Sequence, residues 1–238
     1  MPLPKIATPT YELVLPSSNR KIKFRPFLVK EEKVLILAME SQDTTQIANA
    51  VKDVISNCII TRGIKVDKLS TFDIEYLFLN IRGKSVGEDI EVMVTCPDDG
   101  KTQVPTSINI DSIKVQTDKN HSKDIKLDDS YTLRMKYPSL SEFIKNNFAT
   151  GEINVDDTFD LISQCIEQVY SEEESWTADD CTKKELSQFL DQLNSSQFKE
   201  IEKFFETMPK LSHKVKVINP NTKVESEIVL EGLQNFFG

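Results

Sequence analysis

The chain is poor in the residues that carry most enzyme chemistry. Its 238 residues include 2 histidines, 4 cysteines and 7 glycines. His121 reads as part of a polar loop and His213 stands just before a strand. Neither lies near a Ser or Cys nucleophile motif, and no two histidines stand four apart as helical metal ligands do. So few glycines leave little room for a glycine-rich phosphate loop. Cys58, Cys96, Cys165 and Cys181 are dispersed, with no pair at zinc-knuckle spacing, and read as free thiols in a reducing compartment. No apolar run approaches the roughly 20 residues that span a bilayer. Met1-Pro-Leu-Pro-Lys-Ile-Ala lacks the apolar segment of a secretory signal. No cofactor, metal, small molecule or membrane is expected, and no catalytic residue is assigned.

Positive charge is outweighed by negative, 29 Lys/Arg against 38 Asp/Glu, and unevenly so. Residues 1–137 hold 20 Lys/Arg against 19 Asp/Glu, whereas 138–238 hold 9 against 19. Within the latter, 152–191 have 2 against 12. A protein that reads the phosphate backbone needs the opposite, a basic face. The acidic segment reads as a solvated face, with a basic partner as the alternative. Carboxylate pairs at Asp98-Asp99, Asp128-Asp129, Asp156-Asp157 and Asp179-Asp180 sit at turns or helix starts, where Asp is favoured for backbone reasons.

Short β signals and capped helices make up the rest. Tyr11 to Leu15 and Ile22 to Phe24 alternate around the turn Pro16-Ser-Ser-Asn19, a hairpin whose second strand is very basic: Arg20, Lys21, Lys23 and Arg25. Such a face protects an edge and aids solubility, and it also suits an acidic neighbour. Val34, Leu35, Leu37 and Ala38 suit a short buried helix. Asp43 caps a second helix running to about Ile60, with Gly63 to end it; Ser70 to Asp73 resembles a capping box for a third, with Gly83 at its C′ position. Residues 84–137 read as a small antiparallel sheet of four or five strands. After Pro138, helical stripes follow: Ser139 to Glu142 leading into Phe143, Ile144 and Phe148; Phe159, Ile162, Ile166 and Val169; Leu186, Phe189, Leu190 and Leu193 behind the capping box Thr182 to Glu185; and Phe198, Ile201, Phe205 and Met208, stopped by Pro209.

The stretch Glu91-Val-Met-Val-Thr-Cys-Pro-Asp-Asp-Gly-Lys101 reads as strand, turn, strand. It has an echo in Lys214-Val-Lys-Val-Ile-Asn-Pro-Asn-Thr-Lys223, and each hairpin follows a helical segment. Two readings stand: a duplicated unit of helix and hairpin, or a chance likeness of two short hairpins. Cys-Pro-x-x-Gly is half of a knuckle, but Asp99 stands where the second cysteine belongs, so the turn reads as a plain turn.

The fold class expected is α+β: small antiparallel β-hairpins and a sheet combined with a mostly helical C-terminal block. The segments are 1–83, an N-terminal hairpin plus helices; 84–137, a small antiparallel β region; 138–208, an acidic helical block; and 209–238, a C-terminal hairpin with an apolar tail. That tail holds Leu233, Phe236 and Phe237, and the two adjacent phenylalanines are costly to expose, about 2 kcal/mol each. They are expected to dock either against Phe205 and Met208 or on a partner. With Arg20, Lys21, Lys23 and Arg25 they form the candidate protein-contact set.

Several stretches together resemble the T-even-like bacteriophage baseplate family, the hub subunit or hub assembly protein of contractile tails. They are Met1 to Tyr11, Lys23 to Lys33, Asp73 to Arg82, Lys84-Ser-Val-Gly87, the two hairpins, Glu206 to His213 and Leu230 to Phe237. The likeness runs along nearly the whole chain. Some relatives have a fuller Cys-Pro-x-Cys-Gly turn at one hairpin or both, a pattern from which Asp99 and Asn219 depart. The resemblance implies non-enzymatic work. The protein would help build the central hub of the baseplate inside the infected bacterium through contacts with other hub or tail proteins, either staying in the virion or acting transiently as an assembly chaperone. A tail-associated nucleic-acid binder using the basic strand is the rival reading.

Overall fold

A computed structural model describes residues 6–139 and 155–232. The expected stripe Phe143, Ile144 and Phe148 and the tail residues Leu233, Phe236 and Phe237 lie outside the described residues. Both helices and antiparallel sheets are present, as an α+β chain requires. The chain forms two compact units: residues 1–66, 72–116 and 210–238, and residues 67–71 and 117–209.

The first unit begins with the hairpin β1 (Tyr11–Val14) and β2 (Lys21–Phe24), in which Leu13 faces Ile22 and both are buried. Helix α1 (Val29–Glu40) and helix α2 (Thr44–Cys58) follow. The Asp43 carboxylate accepts from the Thr45 and Gln46 amides and caps α2 as its sequence predicts. The expectation of a buried α1 is corrected: Leu35 and Ala38 are buried, but Val34 is 45% exposed and Leu37 56%. Helix α2 ends at Cys58, close to the expected end near Ile60, where Ile59 leaves it to pair with Phe24 and Gly63 plays no part as a cap.

Helix α3 (Thr71–Val86) is apolar around most of its circumference and is accordingly buried through Phe72, Ile74, Leu77, Phe78, Leu79 and Ile81. Asp73 does not close a local capping box. It is fully buried, and its carboxylate accepts from the Ser17 amide and hydroxyl in the β1–β2 turn. Gly83 lies inside α3 instead of ending it. A Cβ there would stand 3.3 Å from Ile110 Cδ1 and would press on the end of that side chain. Strands β3 (Asp89–Thr95) and β4 (Gln103–Asn109) form the first echo hairpin, and β10 (Lys210–Ile218) with β11 (Glu225–Glu231) the second. Strand β5 (Lys114–Gln116) joins the second hairpin, pairing antiparallel to the start of β10. The inner residues of both hairpins, from Val92 and Ile108 to Val215 and Leu230, share one core with Leu79 of α3.

The second unit corrects the expected helical block. Its framework is a four-stranded antiparallel sheet in the order β6 (Asp124–Lys126), β7 (Thr132–Met135), β8 (Ile166–Tyr170), β9 (Ser175–Thr177). Helix α4 (Val155–Gln164) stops before Ile166. The stripe of Ile162, Ile166 and Val169 therefore divides between helix and strand. Spacing alone does not separate the two, whereas β-branched and aromatic Ile166, Val169 and Tyr170 suit the free edge of β7. Helix α5 (Lys183–Asp191) begins with the expected capping box, the Thr182 amide donating to Glu185 and the Glu185 amide to Thr182. Helix α6 (Ser195–Thr207) is capped by Asn194. The core gathers Ile125, Leu133, Met135, Ile162, Ile166, Leu190, Ile201 and Phe204.

Candidate functional site

The turns of the two echo hairpins meet in the first unit. They share a frame, the second being one residue shorter. In one, the Cys96 amide donates to Thr102 O at 2.8 Å and the Gly100 amide to Cys96 O at 2.9 Å; in the other, the Asn219 amide donates to Val224 O at 3.0 Å and the Lys223 amide to Asn219 O at 2.9 Å. The fourth residue after each anchor is left-handed, with φ of +64° at both Gly100 and Lys223. Cys96 thus corresponds to Asn219, and Asp99 to Thr222.

Side-chain hydrogen bonds tie the turns together. Asn219 is fully buried, and its Nδ2 lies 3.0 Å from both Asp98 carboxylate oxygens and from Asp99 Oδ2. The Thr222 hydroxyl donates to Asp98, and Asn221 Nδ2 to the Thr102 hydroxyl at 3.0 Å. Asp99 also accepts from the Lys101 and Thr102 amides and from the Thr102 hydroxyl. These donors favour the ionised forms. Bonds from Asn219 and Thr222 hold Asp98 below the usual carboxylate range, and bonds from Thr102, Lys101 and Asn219 hold Asp99 well below it. Burial, then the charges of Asp98 and Asp99, push the Cys96 thiol up.

The positions that would carry four metal ligands in a pair of facing knuckles are here Cys96, Asp99, Asn219 and Thr222. The amide and hydroxyl are poor zinc donors, and the thiol is held protonated. Among the described residues no group of three or more His, Cys, Asp and Glu is arranged to hold a metal ion. What the arrangement does chemically is fasten one hairpin to the other. Sequence reading found both turns but not their meeting. The signal available was the shared Pro and the matched spacing to a left-handed residue.

The basic strand divides. Arg20 and Lys21 are exposed, Arg20 reaching Arg62 O at 3.3 Å, and Lys23 pairs with Glu12 at 3.1 Å across the hairpin. Arg25 turns inward. Its Nη2 lies 2.9 Å from Glu31 Oε1, and its Nη1 donates to Pro26 O at 2.8 Å. Burial alone would raise the Glu31 carboxyl, but Arg25, the Leu28 amide and Lys30 outweigh it and hold the group below its ordinary value. Arg25 is therefore a structural cation, and Arg20, Lys21 and Lys23 are the ones solvent reaches.

Residues 8–238 match the family described as T4 bacteriophage base plate protein. The chain belongs to that family. No curated protein and no solved structure matches. Membership makes this a baseplate protein of a T4-like phage. No helix among the described residues is long and apolar enough to cross a membrane. Contacts with other phage tail proteins follow from the family, as the baseplate is the part of the tail its members compose.

Proposed function

We propose that this baseplate protein acts in building the central hub, through protein–protein contacts and without catalysis. The observation that carries the reading is the paired-turn clasp. Its carboxylates gather around the buried Asn219 amide and are engaged by internal donors that keep them ionised. A general acid–base pair instead needs one group poised near neutrality. The exposed Arg20, Lys21 and Lys23 supply the contact surface for an acidic hub or tail partner, with the apolar tail Leu233, Phe236 and Phe237 as a second contact. Assembly takes place in the host cytoplasm, and the product is the tail baseplate.

Co-purification from infected cells tests this reading. Lys21→Glu together with Lys23→Gln, which sets no second carboxylate opposite Glu12, is expected to release the hub proteins while leaving the melting temperature nearly unchanged, as surface substitutions do. Retained hub proteins would refute it. Mass spectrometry of purified virions separates a resident subunit from a transient chaperone. The nucleic-acid rival predicts tight DNA binding at low salt that falls steeply as salt is added.

A further inference from the structure

Among the described residues, part of the second unit's sheet is left uncovered. Ile125, Leu133, Val169 and Trp176 stand directly opposite one another across β6, β7, β8 and β9, so their side chains share one face. That face is the core face, on which Leu133 is fully buried and Ile125 is 6% exposed. Cover fades toward the edge strand: Val169 is half-buried, and Trp176, the only tryptophan in the chain, is 41% exposed. Tyr131 is also 41% exposed, with its ring centroid 6.3 Å from that of Trp176.

Between this face and the helices α5 and α6 lies a cleft of about 470 Å³, its walls formed chiefly by Val169, Trp176, Leu186, Phe189 and Leu193. Gln197 closes one end by donating to Leu127 O at 3.0 Å. The volume accommodates one or two large apolar side chains. The rim is acidic. Asp128 and Glu185 line it, and Glu172, Glu173, Glu174, Asp179 and Asp180 are exposed on the turns flanking β9. Lys183 and Lys184, at the start of α5, are the opposing cations. Residues 152–191, which supply most of these groups, carry 12 acidic against 2 basic side chains.

We propose that this cleft is a docking site for a basic segment of a partner protein, which inserts large apolar side chains against Val169 and Trp176 while lysine or arginine beside them meets the acidic rim. Apolar anchors seated in a pocket carry most of such an interface, and the charges set its specificity and encounter rate. The site lies in the second unit, apart from the basic strand of β2, and stands whether or not that strand contacts the hub.

Trp176 reports occupancy directly. The full chain is titrated with three short tryptophan-free peptides: one of lysine and leucine at helical spacing, one with glutamate replacing lysine, and one with serine replacing leucine. The expected result is a saturable blue shift of Trp176 emission with the lysine–leucine peptide alone, weakening as salt is added. Cys181 lines the cleft half-buried, while Cys58, Cys96 and Cys165 are fully buried. Maleimide treatment of the native protein therefore blocks the cleft without mutation, and anisotropy of a labelled lysine–leucine peptide should report at least a tenfold loss of affinity. Val169→Thr, with circular dichroism unchanged, should weaken binding several-fold. The proposal is overturned by the absence of a shift, by equal binding of the other two peptides, or by binding undiminished after alkylation. A shift that depends on protein concentration without peptide would assign the cleft to a second copy. One that appears on removing residues 233–238 would assign it to the chain's own C-terminal segment. Either result also overturns the proposal.

Discussion

Lys223 occupies a left-handed backbone position that its counterpart in the first hairpin fills with Gly100. A side chain bearing a Cβ pays roughly 1–2 kcal/mol for that conformation. Lys223→Gly is expected to raise stability by about 0.5–1 kcal/mol, the greater freedom of glycine in the unfolded chain offsetting part of the relief. A rise in denaturant midpoint at unchanged slope checks it. His121 is a second case. Its Nδ1 lies 3.0 Å from the Thr207 hydroxyl and its Nε2 3.0 Å from that of Tyr137, and its ring packs on Tyr137 and Phe204. Burial, then Lys123, lowers its pKa below the ordinary 6.5. With the folded value depressed, the unfolded chain binds the proton more readily. His121 therefore costs stability as pH falls through the ordinary histidine value, and the penalty levels off below the folded one. An NMR titration should find its midpoint below 6.5, and His121→Gln should flatten this part of the stability profile. Burial also pushes the Cys58 thiol up to about 11. Among the four cysteines, Cys181 should alkylate first in the native protein, and Cys58, Cys96 and Cys165 only on unfolding.

At the scale of elements, the clasp is the junction to test. Asn219→Ala removes the amide that bridges Asp98 and Asp99 and is expected to cost about 1–2 kcal/mol, since hydrogen bonds to charged acceptors are among the stronger ones. Both aspartates have depressed folded pKa values, so their contribution is present above the ordinary aspartate value and is lost as pH falls through the folded one. A denaturant series at several pH values should show a shallower acid loss in the variant. Why some elements were legible in the sequence and others not is plain at this scale. Asp43, Thr182 and the Pro-x-x-Gly turn act on their own next few residues, so local chemistry identifies them. The strand at Ile166 carries helical spacing in its sequence, and the partner that makes it a strand, β7, lies more than 30 positions earlier in the chain. Val34 and Leu37 follow a helical stripe that no element described covers. The clasp joins residues whose separation in sequence is 121, and no local pattern reports a meeting at that distance.

At the scale of the molecule, the two units differ in how the chain builds them. Nearly all of the second is one continuous stretch, residues 117–209, whereas the first is assembled from residues before and after it. The ends of that stretch adjoin Gln116 and Lys210, which pair on neighbouring antiparallel strands. A chain ending at Pro209 lacks Leu211, Val215, Val217 and Leu230, each worth about 2 kcal/mol on burial. Limited proteolysis of that truncation should digest the first unit and leave the sheet and helices of residues 117–209 protected; digestion of both, or of neither, would refute the expectation.

Synthesis proceeds in one direction, and the β10–β11 hairpin belongs to the last part of the described chain to leave the ribosome. It brings a third of the buried residues of the shared core and one side of the clasp. Until it arrives, the inner face of β3 and β4 has only the cover that α3 and residues 110–115 give it, although those strands were made more than a hundred residues earlier. The first unit must therefore wait, with Val92, Val94 and Ile108 incompletely covered, while the second is translated and folds. Slow codons or a stalled ribosome between residues 117 and 209 should lengthen that wait and favour aggregation over yield.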